Sequence, residues 1–538
     1  MVTLANQPVS QMNTPYPRRW AALGVLCLSL LIVVMANTAL IVAAPSMTQD
    51  LGLTSADLQW VIDGYTVPYA ALMLLFGVIG DKYSRRGALL TGLGVFAAGA
   101  VFGSLADTTT LVIAARMMMG VGAAMIMPAT LSLLVATFPK PERSRAIAVW
   151  AATSGLAIAL GPLLAGWLLE SSSWGSTFLI NVPIAVVAAV GALALVPPSK
   201  SESQGAIDWV GGLLSVVTIG GLVFAIIDGF HFGITSATVI AGLGSIVGAL
   251  LFLAWELEHP RSLLDVRKLG DRTVGGATLA VLILFLTAFG IIYTVAQQFQ
   301  FVLAYGPLET GVRLLPLAIC VSIGAAVGGR MVGPIGIRFT IAFGMAVAAT
   351  GAMILTVVDA DSGYSVFLVS LILTGLGIGL SVSPSTDAIM GSFDERDLGA
   401  AGGLNDTAIE FGGALGIALL GSVLASNYKD GIAGFLASLP LGQLTGPQAE
   451  QAQQAVDIAG NSVGGATLVA QELADDPIAG SFAQPMLDAA GAAFTEAITH
   501  AGLVGGAMLG LGAVVVAFVL PTDAPGISAD QPLEHNLA

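Results

Sequence analysis

Gly77-Val-Ile-Gly-Asp-Lys-Tyr-Ser-Arg-Arg-Gly87 separates two apolar runs with a cluster of one acid and three bases. The run before it, Leu58 to Gly80, carries one charge, Asp63, and exceeds the roughly 20 apolar residues that a bilayer crossing needs. The cluster is therefore a short loop at a membrane face, and Lys82, Arg85 and Arg86 make that face cytoplasmic. Gly77 and Gly80 permit close approach between helices, and Asp81 is placed to hold either a neighbouring helix end or a basic side chain. On spacing alone, a charged hairpin that merely obeys the positive-inside rule fits equally well.

Composition sets the class. Of 538 residues, 56% are hydrophobic and only 10% charged, and a mean hydropathy of +0.88 is far outside the soluble range. The chain reads as an all-α polytopic membrane protein. Its net charge of −15 suggests no nucleic-acid partner, and the acids form no dense tract that would name another. Cys27 and Cys320 fall inside predicted spans, where a thiol packs as a small apolar group, so neither a disulfide framework nor a metal site is indicated. Arg18 and Arg19 precede an apolar run too long for a signal peptide, which reads as an uncleaved first helix.

Fourteen spans follow from the length rule: 20–43, 58–80, 88–105, 110–134, 146–169, 177–197, 210–228, 236–256, 273–297, 311–330, 339–358, 364–386, 400–425 and 498–520. Basic residues test the count, because a missed helix would scatter them to both faces. Sixteen of the 19 Lys and Arg fall in the tail and the inner loops, leaving Arg116 and Arg313 within spans and Lys429 alone outside. The expected organisation is a cytoplasmic tail (1–19), a six-helix bundle (20–198), a linker with two inserted helices (199–272), a second six-helix bundle (273–520) and a cytoplasmic tail (521–538). The second bundle carries a long outer segment, 426–497, rich in Ala, Gln and acids. It is expected to form short amphipathic helices or a solvated, poorly ordered loop.

The opening stretch has a degraded echo in Gly329-Arg-Met-Val-Gly-Pro-Ile-Gly-Ile-Arg338, displaced by 252 residues (329 − 77). Both copies end the second helix of a six-helix block, as expected of two related bundles around a central pathway. Only the first keeps an acid. The first loop is therefore the expected latch, with Asp81 and Arg85 pairing across the seam when the cytoplasmic side is shut.

Three titratable positions stand out. Asp63 lies about 8 to 9 Å inside its helix, too deep for a cap. A carboxylate there costs about 2.5 to 3.5 kcal/mol unless it faces a wet cavity, finds a partner or takes a proton. Asp406 and Glu410 sit one turn apart on one face of the thirteenth helix and should not both stay charged. Arg116 is the only basic group deep in the first block. Arg313 follows Glu309 by four residues, which favours a local ion pair. Gly155, Gly161, Pro162 and Gly166 thin and bend one face of the fifth helix, which suits a moving seam as well as ordinary packing.

Taken in order, these segments resemble the fourteen-helix drug–proton antiporter branch of the major facilitator superfamily, and are similar to quaternary-ammonium multidrug exporters. Gly77 to Arg86 resembles the loop signature, Arg116-Met-Met-Met-Gly120 the fourth-helix motif, and Gly155 with Gly161-Pro162-Leu-Leu-Ala-Gly166 the antiporter motif. Leu58 to Tyr65, Phe178 to Pro183, Asp208 to Gly212, Asn405 to Glu410 and Gly399 through Gly416 match the same branch. The resemblance implies proton or substrate handling by Asp63, Asp406 and Glu410, with Arg116 as a partner of such acids, and Gly77, Asp81, Arg85 and Arg86 as a cytoplasmic gate. Ala36 stands where many relatives place an acid, and Ser84, Met119 and Ala165 replace other motif residues. These departures bear on proton stoichiometry and substrate charge.

The reading is a plasma-membrane exporter, monomeric and with both termini cytoplasmic, that moves a small amphipathic, cationic compound against protons. Its partners would be substrate, protons and membrane lipids. It would need no cofactor beyond the proton gradient and no metal. Export of a lipid or an endogenous metabolite is the alternative within transport. A non-transporting sensor would be expected to carry a soluble signalling domain. An enzyme is disfavoured because four His and two Cys give no clustered ligand or nucleophile spacing, and no phosphate-binding Gly-x-x-x-x-Gly-Lys-Ser/Thr run supports ATP drive.

Overall fold

The computed structural model describes residues 15–51, 53, 55–200, 207–259, 263–359, 362–394, 397–440, 446–474 and 479–521, and among these no strand occurs. The helices are α1 (Arg19–Leu51), α2 (Ser55–Tyr83), α3 (Arg85–Ser104), α4 (Thr109–Thr137), α5 (Lys140–Leu169), α6 (Gly175–Leu179), α7 (Asn181–Leu195), α8 (Trp209–Phe232), α9 (Ser236–Glu258), α10 (Arg272–Gln297), α11 (Pro307–Ile354), α12 (Tyr364–Gly391), α13 (Leu398–Ala437), α14 (Pro447–Asn461), α15 (Val463–Ala474) and α16 (Ala483–Val519). Thirteen helical segments among the described residues are long and apolar enough to cross a membrane. The all-α polytopic reading holds.

The fourteenth crossing is hidden in α11. Its 48 residues would run about 70 Å if straight, more than twice the hydrocarbon thickness. At Gly336 the backbone leaves the helix with φ 80° and ψ 162°, a conformation that only glycine adopts without strain. The break falls between the expected spans 311–330 and 339–358, so one continuous segment supplies both.

Of the two alternatives for the segment 426–497, its described residues take the helical one. Helix α13 continues to Ala437 and α16 begins at Ala483, so both run well past their expected membrane ends at 425 and 498. The helices α14 and α15 pack on these extensions, burying Ile432, Leu436, Val463, Ala466, Met486 and Ala490. The Tyr428 hydroxyl donates to the Ala459 carbonyl at 2.9 Å, and its ring meets Phe494 edge-on at 6.3 Å. Helix-forming Ala and Gln with small apolar faces are enough for a compact helical cap.

The inserted pair α8–α9 is fastened at both ends by acids, of which Asp228 and Glu256 are buried and Asp208 half-buried. Asp228 accepts from the Thr235 and Thr238 hydroxyls, while Asp208 caps Gly211 and accepts the Trp255 indole N–H at 2.9 Å. Glu256 accepts the Leu263 and Leu264 amides. Helix α8 packs on α2 and α13, so the pair lies beside the line where the two halves of the chain meet. At the other flank the Tyr16 hydroxyl donates to the Leu195 carbonyl at 2.9 Å. Burial raises that phenol above its ordinary range, so it stays a donor.

Candidate functional site

The two halves meet along two seams, α2 and α4 against α13, and α5 against α11 and α12. At the loop end of the first seam Gly77 lies against Gly399, the second residue of α13, so closely that a methyl on either would run into the other's carbonyl. Asp81, only 4% exposed, uses its two oxygens differently: Oδ1 accepts from Arg85 Nε at 2.5 Å, and Oδ2 accepts the Gly399 backbone N–H. That N–H is one of the four at a helix start without an intrahelical acceptor, and the helix dipole favours an anion there.

This refines the expected latch. The Asp81–Arg85 pair is local, four residues apart, and the cross-seam bond is carboxylate to backbone. Arg85 and Arg86 reach instead to the end of α7, with Arg85 Nη1 donating to Ser199 Oγ at 3.0 Å and Arg86 Nη1 to the Val196 carbonyl at 3.1 Å. Ser84 caps α3 by accepting the Gly87 N–H at 2.9 Å, which gives the serine at this position a structural use. An Asp81→Asn variant keeps the shape but loses the charge assistance, worth about 1.5 to 3 kcal/mol. Conformational exchange across this seam should slow about tenfold while the equilibrium affinity of the chain for its ligand changes less than about twofold. A large loss of equilibrium binding would place the loop at the binding site instead.

On the second seam, Gly329, 252 residues after Gly77, faces Ser144 of α5 less closely: a Cβ there would lie 3.2 Å from the Ser144 hydroxyl and would not meet backbone as one on Gly77 would. Along α5, a Cβ on Gly155 would touch Val321 at 3.3 Å and one on Gly166 would touch Leu308 at 3.6 Å, while Pro162 sits against Gly311. Gly161 faces the opposite way, against the Met35 carbonyl and Thr38 of α1. Gly155, Gly161, Pro162 and Gly166 thus thin α5 on both sides and let it slot between α1 and α11. Asp387 of α12, half-buried and in the field of Arg143 of α5, also lies at this seam. Sequence reasoning missed it because it falls one residue past an expected span.

Between the latch and the far end, a row of polar side chains crosses the first seam. Arg116, 1% exposed, donates to the Val61 carbonyl at 3.0 Å, the Ala36 carbonyl at 3.4 Å and Asn37 Oδ1 at 3.2 Å, and covers the Tyr65 ring at 4.4 Å. Tyr65 donates to the Val33 carbonyl at 2.9 Å and packs at 5.4 Å against Tyr69, whose hydroxyl faces Glu410 of α13. One turn away Asp406 is fully buried. Its Oδ1 accepts from Asn405 Nδ2 at 3.0 Å, and Asn405 Oδ1 accepts from the Thr386 hydroxyl at 3.0 Å. Asp406 Oδ2 has no hydrogen-bond partner among the described residues.

The structure therefore brings Arg116, Glu410 and Asp406 into one row. Asp63 is on α2, two residues before Tyr65, but its side chain lies outside the described residues. Tyr65, Tyr69, Asn37, Asn405 and Thr386 were not singled out from sequence. The i, i+4 spacing of the two tyrosines beyond Asp63 was the available signal. A small cavity beside Arg116, lined also by Ala36, Met119 and Asn181, occupies the place where an acid at position 36 would project. Asn181 Nδ2 donates to the Thr177 and Phe178 carbonyls, and its Oδ1 has no hydrogen-bond partner among the described residues. No group of three or more His, Cys, Asp or Glu able to hold a metal ion occurs among the described residues.

Residues 26–417 match the description of the Major Facilitator Superfamily. The chain is 32% identical over 523 residues to the multidrug efflux pump LfrA of Mycolicibacterium smegmatis, covering 96% of this chain and 99% of that one. It is 31% identical over 507 residues to the methyl viologen resistance protein SmvA of Salmonella typhimurium, covering 94% and 98% respectively. Among solved structures, a double-tryptophan mutant of XylE superposes with a TM-score of 0.60 at 13% identity, over 94% of this chain and 97% of that chain. A bacterial homologue of the lysosomal transporter Spinster gives 0.57 at 15% identity, over 94% and 98%. These likenesses in structure concern the fold.

Proposed function

Because the chain belongs to the Major Facilitator Superfamily, a family of multi-pass membrane transporters, we propose that it is a proton-driven exporter of amphipathic cations. The observation that carries this is the row Arg116–Tyr65–Tyr69–Glu410–Asp406. It places two acids, one with an orphaned oxygen, where the two halves must separate for alternating access. Each acid can hold a proton or face a cation, and the two uses exclude each other at one carboxylate. Competition of that kind is what antiport requires.

In this reading α1–α7 and α10–α16 are the two six-crossing halves, α8–α9 are inserted, and the Asp81 loop faces the cytoplasm with both termini. The positive-inside bias and the α5–α11 and α2–α13 seams support it. Asp81 on Gly399 closes the cytoplasmic side; Gly155, Gly161, Pro162 and Gly166 let α5 slide. Export of cations is supported by the resistance and efflux relatives, whose printed names speak of methyl viologen and multiple drugs.

Purified protein in liposomes with an imposed proton gradient should move a lipophilic cation, and an Asp63→Asn variant should lower that flux at least tenfold. Movement of lipid but not of cations would establish the alternative substrate class. Movement of neither, with Asp63→Asn behaving as wild type in cells challenged with such cations, would end the antiporter reading.

A further inference from the structure

We infer that Tyr305, Tyr364 and Glu309 form a cage for a quaternary-ammonium or similar monocationic headgroup at the end of the molecule opposite the Asp81 loop, and that Arg313 is its tethered competitor. The inference rests on the cationic substrate class proposed above. The Arg313 guanidinium lies 3.9 Å from the centroid of the Tyr305 ring and 4.9 Å from that of Tyr364, with Nη2 2.5 Å from Glu309 Oε1. Two aromatic faces and a carboxylate around one positive charge are the set that recognises quaternary ammonium groups.

The cage stands without the arginine side chain. The Tyr364 hydroxyl donates to the main-chain carbonyl of Arg313 at 2.9 Å, a bond that any residue at 313 retains. Phe299, fully buried, lies 5.8 Å from Tyr305 and 5.7 Å from Tyr364 and sets both rings. The Tyr305 N–H donates to the Phe299 carbonyl at 2.8 Å. Glu309 is in the first turn of α11, where the helix dipole favours a carboxylate. Arg313 itself is imperfectly satisfied, because its buried Nε has no acceptor among the described residues. A placeholder has that property; an optimised structural ion pair would not.

Position gives the cage a use. The same turns of α11 carry Leu308 and Gly311, which meet Gly166 and Pro162 of α5 where the second seam ends. A compound leaving between the halves passes this point. An exporter must bind weakly at its exit, and a cation tethered at an effective concentration in the millimolar range competes with the leaving headgroup without consuming anything. Arg313 returning to the cage would expel the compound and oppose its return.

The test is binding of tetramethylammonium to the purified full chain in nanodiscs, followed by titration calorimetry and independent of transport. Arg313→Gln should bind it about tenfold tighter than wild type, the worth of two exposed cation–π contacts. Arg313→Lys keeps a competing charge and should stay near wild type. In the Arg313→Gln background, Tyr305→Phe should retain the gain and Tyr305→Leu or Tyr364→Leu should abolish it. Equal affinity in wild type and Arg313→Gln, or a gain that survives both leucine substitutions, overturns the cage. Tetramethylammonium binding without export of any lipophilic cation would instead overturn the proposed function and leave the cage standing.

Discussion

Gly399→Val is expected to leave a folded protein that cannot close the first seam at its Asp81 end, with export reduced about a hundredfold. A Cβ at this position would lie 2.6 Å from the Gly77 carbonyl carbon and 2.7 Å from Asp81 Cγ, against an ordinary carbon–carbon separation of about 3.5 to 4.0 Å. The obstacle is backbone on one side and a doubly bonded carboxylate on the other, so no rotamer change relieves it. Overpacking of this kind costs about 1 to 3 kcal/mol, and withdrawal of α13 also breaks the Asp81–Gly399 bond. Together these approach the roughly 5.5 kcal/mol that inverts a 99:1 equilibrium. The conformation in which α2 and α13 part at this end meets no such conflict, which is why the protein should fold and stay open rather than unfold. A cysteine placed at the buried Ala401 should become reactive to a cytoplasmic thiol reagent in the variant alone. Gly94→Val is the control, since a Cβ there meets open space. Wild-type export by Gly399→Val would show that the contact is not part of the cycle.

That contact also marks how far the sequence could be read. The loop Gly77 to Gly87, its charge and its small residues were legible because membrane crossings leave long apolar runs and the loops between them keep the bases. The partner was not legible. Gly399 is 318 residues away and contributes a backbone N–H, which any residue but proline has. That Asp81 could hold a neighbouring helix end was legible; which helix was not, and the expected Asp81–Arg85 pair forms within the loop rather than across the seam.

The same limit explains the rest. Asp406 and Glu410 were found because acids inside an apolar run are rare and costly. Tyr69 joins them across the packing of α2 on α13, and Thr386 through Asn405 across that of α12 on α13, contacts that no local pattern encodes. The break at Gly336 was legible only as two spans, because a single glycine among many in α11 does not announce a positive φ. The helical cap on α13 and α16 was open in sequence between helix and loop. Packing of α14 and α15 on the extended helices decided it.

Asp406→Asn is expected to convert uphill export into downhill equilibration. The substitution keeps the volume and leaves Oδ1 to accept from Asn405, so the Thr386–Asn405 arrangement on α12 and α13 should survive. What it removes is a group able to take up and release a proton at Oδ2, the oxygen that the described residues leave unpartnered at the centre of the seam. Each proton crossing a potential of 100 mV supplies about 2.3 kcal/mol, equivalent to about fiftyfold in concentration. If protons drive export as proposed, a variant that moves one proton fewer should lose about fiftyfold in the steady-state gradient at 100 mV, while release of preloaded compound down its own gradient persists. Everted vesicles energised by respiration measure the first quantity, and equally energised vesicles that lack the protein give the distribution that the variant should reach. Glu410→Gln tests the division of labour. If Glu410 serves the cation through Tyr69, its loss should weaken binding and leave the residual flux proton-dependent. Full gradients in Asp406→Asn would move the coupling proton to another carboxylate, with Glu410 and Asp63 the groups to test next.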